Sequence, residues 1–132
     1  MISTAVLLLS LTVYHEGRGE PQLCQRYIAD TVINRAQNSD KSAKQVIKEK
    51  SQYQWLSLVR GKDLQAHYKR IQMKGQPADK KALEHATKLA QRALSSEYVP
   101  LNKGQYFMTK RSKIPKYYGG YTSCGGHYFS HK

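Results

Sequence analysis

The stretch of sequence that decides the fold is YHEGRGEP, residues 14–21. Gly17 and Gly19 favour the end of a helix there, because glycine terminates helices readily and permits the turn that follows. Pro21 suits the first position of a new helix, and Glu20 just before it would lie at the positive end of that helix's dipole. The stretch therefore predicts two helices joined by a tight turn.

On either side of this turn the apolar residues follow the patterns of buried helices. Residues 1–14 carry no charge. The run is shorter than the roughly 20 apolar residues of a membrane span, and it lacks the basic start and small-residue cleavage site of a signal peptide. We therefore expect a buried core helix from about Ser3 to Glu16. A second helix, from Pro21 to about Gln37, has one apolar stripe at three- and four-residue spacing. Its members are Cys24, Tyr27, Ile28, Thr31, Val32 and Ala36.

Three further helices are predicted before residue 100. A short basic one covers residues 41–50, with Val46 and Ile47 turned inward. Another covers residues 62–73 and closes at Gly75, and the strongest begins at Pro77 and ends before Pro100, with Ala and Leu at helical spacing. Between the first two of these, the stretch 52–55 (QYQW) has no clear period.

The helical spacing of apolar residues ends at about Asn102. Residues 106–108 fit a short strand, and residues 117–129 form a tail rich in glycine and aromatic residues, in which a helix is not expected. Glycine lets backbone approach another surface closely, and aromatic rings provide flat contact area. This tail is therefore expected to be a wall of a binding cleft or a loop packed on the core.

Length and charge bound the class of protein. The chain has 132 residues, 39% of them hydrophobic, which suits one domain over residues 1–132. Its 22 Lys and Arg against 9 Asp and Glu give a net charge of +13, which favours an anionic partner. Nucleic acid, an acidic membrane surface and the bacterial cell wall all qualify. The basic residues are dispersed and no nucleic-acid motif accompanies them, so specific nucleic-acid binding is not expected.

The cysteines and histidines do not indicate a metal site. Cys24 and Cys124 stand far apart without a CxxC pair, so we expect two small buried thiols, with a single long-range disulfide as the alternative. His127 and His131 lack an HExxH context. No metal ion and no cofactor are expected.

Glu16 is the candidate acid. A carboxyl group at the end of a helix can project into a cleft, and aromatic neighbours would raise its pKa enough for it to donate a proton near neutrality. Arg18 would act in the opposite direction, because a nearby cation favours the carboxylate. A solvated glutamate without function is the alternative.

Around this residue the chain resembles a known family. Residues 15–21 (HEGRGEP), followed by Gln25 and by Asn34 and Arg35, are similar to the E-A-R-G-E-P…G-Q…N-R signature of the SleB-like cell wall hydrolases, which include spore-cortex lytic enzymes and phage relatives. Gly17 stands at the family's usual Ala. Further matches, in order, are Gln52-Tyr53-Gln54-Trp55 to Q-F-S-W, Tyr106-Phe107 to Y-F, and Gly126-His127-Tyr128-Phe129 to G-x-H-x-F.

The resemblance implies a fold and an activity. The fold would be mainly α (α+β), a lysozyme-like or lytic-transglycosylase-like domain with a small strand and loop region near the C-terminus. The activity would be cleavage of peptidoglycan between N-acetylmuramic acid and N-acetylglucosamine, with Glu16 as catalytic acid and base of a lytic transglycosylase. A muramidase would instead need a second carboxylate roughly 5 to 9.5 Å away. Glu20 is the nearest candidate, although its place before Pro21 favours a structural role in starting the helix.

The resemblance also implies substrate-binding residues and a place of action. Sugar rings present apolar faces that aromatic side chains cover, so the candidates are aromatic residues and one histidine, with buried packing as the alternative. They are Tyr53, Trp55, Tyr106, His127 and Tyr128. We expect a monomer that acts on the cell wall from the periplasm or the outside. Without a visible signal peptide, we expect it to be made in a host cytoplasm and released by a holin or carried in a virion.

Overall fold

The computed structural model describes residues 2–49, 53–59, 63–110 and 113–132. These residues form a helical body and a small antiparallel sheet near the C-terminus, so the prediction of a mainly α fold with a C-terminal strand region is confirmed. The helices are α1 (Thr4–Gly17), α2 (Gln22–Ser39), α3 (Ala43–Ile47), α4 (Gln54–Leu58), α5 (Leu64–Lys74) and α6 (Pro77–Ala93). The strands are β1 (Phe107–Thr109), β2 (Tyr121–Cys124) and β3 (His127–Ser130), in the order β1-β3-β2.

Helix α1 is the central element of the core. Ser3 begins it by accepting a hydrogen bond from the Val6 amide at 3.2 Å. Its apolar side chains are buried along most of its length, on all sides of the helix. They are Leu7, Leu8, Leu9, Leu11, Val13 and Tyr14. The hydroxyls of Ser10 and Thr12 are buried as well, and they donate to carbonyls one turn back at 2.6 and 2.8 Å. The predicted core helix is therefore confirmed, with every buried hydroxyl of its central turns satisfied.

None of the helices within the described residues is long and apolar enough to cross a membrane.

The turn between α1 and α2 lies where the glycines predicted it. Gly17 is the last residue of α1 and is buried. A Cβ added to it would lie 2.9 Å from Ile28 Cδ1 and 3.2 Å from Gln25 Cγ, so the two helices approach closely at this point. Gly19 takes a positive φ of 86°, which an L-residue with a side chain rarely adopts.

The remaining helices follow the predictions with two differences. Helix α3 is shorter than predicted, but Val46 and Ile47 are fully buried in it as expected. Helix α4 lies where no period was visible, because five residues are too few to establish one. Gly75 ends α5 and Pro77 opens α6, as the sequence indicated, and Asp63 caps the start of α5. Residues 50–52 and 60–62, on which parts of these predictions fall, lie outside the described residues.

The sheet packs one face on α2. Phe107 and Phe129 pair across β1 and β3, and Phe129, fully buried, meets Tyr27 of α2 with ring centroids 5.4 Å apart. On the same face Cys124 forms a disulfide with Cys24. The expectation of two free thiols was wrong. The alternation of β2 turns Cys124 toward the first turn of α2, where the two Cα atoms lie 5.5 Å apart, within the usual range for a disulfide.

Helix α2 also holds the segment that leads into β1. The buried Asp30 carboxylate accepts hydrogen bonds from the Tyr98 hydroxyl and from the amides of Leu101 and Asn102, the latter two at 3.0 Å. One turn farther along, Asn34 Nδ2 donates to the carbonyls of Asn102 and Gly104 at 2.7 and 2.9 Å. These bonds fix the start of β1 relative to α2.

Candidate active site

Glu16 lies on the last turn of α1 and is half-buried. Burial raises the pKa of its carboxyl above the ordinary value of 4.5, and no hydrogen bond or cation among the described residues offsets this effect. Arg18, which was expected to oppose this effect, directs its guanidinium to other partners. Arg18 Nη1 donates to the Tyr14 hydroxyl at 2.7 Å and to Asp79 Oδ1 at 2.9 Å. The protonated form of Glu16 is therefore favoured more than that of an exposed glutamate.

One side of the site, the sheet wall, consists of Glu20, Phe107, Gly126 and His127. Both carboxylate oxygens of Glu20 accept from the Gly126 amide at 3.1 Å. A Cβ on Gly125 would lie 2.1 Å from Glu20 Oε2, and one on Gly126 would lie 2.8 Å from Oε1. The turn between β2 and β3 therefore needs two glycines in order to receive this carboxylate.

Glu20 directly precedes the start of α2, as predicted, but its side chain does not cap that helix. Pro21 occupies the N-cap position of α2, and no side chain caps that helix by a hydrogen bond. The Glu20 carboxylate instead reaches the β2–β3 turn, a partner 106 residues away in sequence. Its structural role is to tie the α1–α2 turn to the sheet.

His127 occupies the inner face of the sheet wall. Its side chain is 9% exposed, and Nδ1 lies 3.4 Å from Glu20 Oε1 without making a hydrogen bond to any described residue. Its ring meets Phe107 edge-on at 5.4 Å. Burial lowers the pKa of His127 and Lys110 lowers it further, against the Glu20 carboxylate, which raises it. The net shift is downward, which favours the neutral imidazole at pH 7.

The opposite side, the helical wall, consists of His15, Tyr53, Trp55 and His67. Trp55 is buried, and its indole Nε1 donates to Thr12 Oγ1 at 3.2 Å. The His15 ring stacks on Trp55 at 5.2 Å and on His67 at 5.1 Å, and the two histidine Nε2 atoms lie 2.9 Å apart. Burial, then the charges of His67 and Arg18, lower the pKa of His15 from 6.5 to about 4.

Tyr53 of the helical wall lies near Phe107 of the sheet wall. Its ring is 6% exposed and lies 6.2 Å from that of Phe107. Burial raises the pKa of its hydroxyl, the charges of Glu16 and Glu49 raise it further, and Arg35 lowers it. The charge of Glu16 is therefore among those that act on the Tyr53 hydroxyl.

The predicted substrate-binding residues do not lie on one surface. Tyr53 and Trp55 belong to the helical wall, where Trp55 is buried, and His127 belongs to the sheet wall. Tyr128 lies between two inward residues of β3 and therefore points to the other face of the sheet, where it meets Tyr121 at 4.9 Å and Lys110 at 5.5 Å. Tyr106 precedes β1 and faces Tyr117, with ring centroids 5.1 Å apart.

Some residues of the site escaped the sequence analysis. Phe107, a residue of the sheet wall, packs near His127 of the same wall and near Tyr53 of the helical wall. Only its neighbour Tyr106 was singled out as substrate-binding. The place of Phe107 in the Y-F pair was the available signal. Asp30, which positions β1, gave no local signal, because its partners lie about 70 residues away. Asn34 was noted only as a match to the family signature, and its bonds to Asn102 and Gly104 had no local pattern. Among the described residues no three His, Cys, Asp or Glu side chains are grouped to hold a metal ion.

Comparison with protein families gives the class of protein. The chain matches the model of the Cell Wall Hydrolase family over residues 19–130, and it therefore belongs to that family, as the resemblance to SleB-like enzymes predicted. Enzymes of this class act on peptidoglycan in the bacterial cell wall. The match spans both walls of the site apart from His15, and it begins three residues after Glu16. No curated protein and no solved structure matched the chain.

Proposed function

We propose that this protein cuts the glycan strand of peptidoglycan between N-acetylmuramic acid and N-acetylglucosamine as a lytic transglycosylase, with Glu16 as the catalytic acid and base. The observation that carries the proposal is the half-buried carboxyl of Glu16, whose pKa burial raises. A carboxyl in that state is protonated over more of the pH range and is able to donate to a leaving group.

The reaction needs one carboxyl group. Protonated Glu16 donates to the glycosidic oxygen as the bond from muramic acid C1 to that oxygen breaks, which leaves positive charge at C1. The Glu16 carboxylate then removes the proton from the C6 hydroxyl of the same sugar while O6 bonds to C1. The products are a strand ending in 1,6-anhydro-muramic acid and a new N-acetylglucosamine 4-hydroxyl, and Glu16 is protonated again. The C6 hydroxyl is tethered to the reacting sugar, which gives it a high effective concentration.

The engagement of Glu20 supports this mechanism over hydrolysis. A muramidase would use a second carboxylate to activate water or to attack C1. Both Glu20 oxygens already accept from Gly126, in a turn shaped around them. We therefore assign Glu20 to positioning the sheet wall.

A muramidase remains the second candidate because of the contact between Glu20 and His127. The two side chains lie 3.4 Å apart, and the lowered pKa of His127 keeps its ring neutral. A neutral imidazole beside a carboxylate is able to act as a base toward water.

The test is Glu16→Gln, which preserves shape and removes the transferable proton. Clearing of purified cell wall should fall at least about 100-fold, the usual contribution of a general acid. Glu84→Gln, an exposed glutamate on α6 paired with Lys88, is the matched control and should clear the wall normally. Near-normal clearing by folded Glu16→Gln protein would show that Glu16 is not the acid.

Product analysis separates the two candidate reactions. Mass spectrometry of wild-type digests in ¹⁸O-labelled water should show unlabelled ends lighter by one water, which borohydride does not reduce. Reducing ends that carry the label would assign the enzyme as a muramidase and return Glu20 and His127 to consideration as catalytic groups.

A further inference from the structure

One glycine of the β2–β3 turn lies against two different attachments to the helices. A Cβ added to Gly125 would lie 2.1 Å from Glu20 Oε2 and 3.3 Å from Cys24 Sγ. Cys24 is bonded to Cys124, the residue before this glycine, and Glu20 accepts from the amide of Gly126, the residue after it. The disulfide and the Glu20 carboxylate therefore hold the turn at the same place.

The cross-link is the stronger of these two attachments. Both oxygens of Glu20 share one donor, the Gly126 amide, and the Glu20 side chain is 21% exposed, so water competes for the carboxylate. Strand β2 adds little packing, because it lies at the edge of the sheet and its residues 121–123 are exposed. Without the disulfide, the turn would depend on a hydrogen bond that water is able to replace.

Glu20 connects the turn to the end of α1. Its backbone amide donates to the Gly17 carbonyl at 2.9 Å, and its own carbonyl accepts from Gln25 Nε2 at 3.0 Å. Gly17 directly follows Glu16, the proposed acid. A displacement of Glu20 would therefore act, through one backbone hydrogen bond, on the residue next to Glu16.

The disulfide is open to reduction at one of its two sulfurs. Cys24 is 2% exposed, whereas Cys124 is half-buried on the edge strand. One sulfur of a dithiol reductant bonds to Cys124 Sγ as a thiolate, and Cys24 Sγ leaves. The second sulfur of the reductant then displaces Cys124 from this mixed disulfide. Each cysteine takes up one proton, so the protein gains two thiols and the dithiol is oxidised to a disulfide.

We propose that the Cys24–Cys124 disulfide is a redox switch for the cleavage of glycan strands: its reduction frees the β2–β3 turn from α2, displaces Glu20 and lowers the activity, and reoxidation restores it. The proposal rests on glycan cleavage as the proposed function and adds a regulation to it. The enzyme would be weakly active in a reducing compartment and fully active in an oxidising one. A cross-link that acted only on the entropy of the unfolded chain would leave the native site unchanged. The activity of the folded, reduced protein therefore distinguishes a switch from simple stabilisation.

The first experiment measures kcat/KM on soluble, uncross-linked glycan strands for the oxidised wild type and for the wild type reduced with dithiothreitol. We expect a loss of roughly tenfold on reduction, because a misplacement of about 1 Å in a site can cost about 100-fold, and full recovery on reoxidation. Cys24→Ser with Cys124→Ser should have the lower rate with or without the reductant, which makes it the control for effects of the reagent.

The outcomes separate the switch from the proposed function. Equal rates for the oxidised and the reduced wild type would overturn the switch and leave glycan cleavage standing. A loss of activity that occurs only together with global unfolding, as near-UV circular dichroism reports it, would also overturn the switch, because the turn would then not be released on its own. Cleavage of no strand by the oxidised wild type would contradict the proposed function itself.

A second measurement follows Glu20 without relying on activity. The Glu20 carboxylate raises the pKa of His127, whose Nδ1 lies 3.4 Å from Glu20 Oε1. Reduction should therefore lower the pKa of His127, as measured by NMR titration of the folded protein. Glu20→Gln, in which this carboxylate is already absent, is the matched control and should give the same pKa for His127 in both redox states. An unchanged pKa in the reduced wild type would show that Glu20 keeps its place, and it would overturn the switch.

Discussion

The two walls of the site are built by different means. The sheet wall is tied to α2 by the Cys24–Cys124 disulfide, and its turn is held by both oxygens of Glu20. The helical wall depends on a five-residue helix, stacked rings and the bond from the Trp55 indole to Thr12. The difference teaches that a covalent cross-link holds one wall, whereas packing and a hydrogen bond hold the other.

The contacts that hold the two walls differ in how much they stabilise the fold. A disulfide closing a loop of 100 residues stabilises a protein by about 4 to 5 kcal/mol in the chain-entropy model. A stacked ring pair contributes about 0.5 to 1.5 kcal/mol beyond its burial. Loss of one cross-link on the sheet side should therefore outweigh any single contact on the helical side.

Removal of the disulfide should have the largest effect. Cys24→Ser with Cys124→Ser should lower the free energy of unfolding by about 4 kcal/mol, as measured by urea denaturation. A reducing agent should destabilise the wild type by a similar amount and leave the double variant unchanged, which serves as its control. A loss below about 1 kcal/mol would remove the contrast between the walls.

Loss of the indole should have a smaller effect on the helical wall. Trp55→Phe removes ring volume and the hydrogen bond to Thr12, so we expect a loss of about 1 to 2 kcal/mol in the free energy of unfolding. A double-mutant cycle with Thr12→Val isolates the hydrogen bond. A coupling energy indistinguishable from zero would mean that packing alone holds this wall.

Neutralising Glu20 should lower the free energy of unfolding by less than the loss of the indole does. The same variant separates a positioning role of Glu20 from a catalytic one. In Glu20→Gln an amide oxygen still accepts from Gly126, so the loss should be about 1 kcal/mol. The pKa of His127 should fall, because the carboxylate that raises it is gone, and NMR titration measures this. Glu84→Gln should change neither quantity.

Activity of the same Glu20→Gln protein decides between positioning and catalysis. A positioning role predicts retained transglycosylase products at a reduced rate. A loss of about 100-fold or more in a protein that remains folded would instead support Glu20 as a second acid.

The smallest expected effect is a pH dependence in the helical wall. The folded protein holds the pKa of His15 at about 4, against 6.5 for an unperturbed histidine. Between these values the unfolded chain binds the proton first, so the stability is fully present above pH 6.5 and is lost as the pH falls toward 4. The decrease in Tm between pH 7 and pH 5 should be smaller in His15→Gln than in the wild type. An equal decrease would show that other groups cause the acid sensitivity.

Local signals predicted the helical body well. Gly17, Gly75 and Pro77 mark helix ends in the sequence and in the structure, because glycine and proline act on the backbone within one turn. The uncharged run of residues 1–14 predicted a buried core helix, and residues 7–14 of α1 are buried. Helix α4 was missed because it is shorter than two helical turns.

The candidate site was less predictable because its contacts join distant parts of the chain. The sequence singled out Glu16, but it did not indicate the bond from Gly126 to Glu20, and it gave the pairing of Cys24 with Cys124 only as the alternative to free thiols. Neither has a local pattern, since each joins residues 100 or more positions apart. Tyr128 was grouped with His127 although strand alternation turns neighbouring side chains to opposite faces.

The disulfide also divides the chain into a ring and two arms, one on each side of it. Residues 24–124 form a covalently closed loop, whereas Glu16 lies on the arm that precedes it and passes through the core as α1. One cut by a protease anywhere inside the ring leaves every residue covalently attached, so a nicked molecule should keep its full mass until it is reduced. A cut between Glu16 and Cys24 would sever the acid from the rest of the site. Gly17 lies close to Ile28 and Gln25, so the start of this short connection is packed against α2. A cut in the connection would damage the site more than a cut inside the ring.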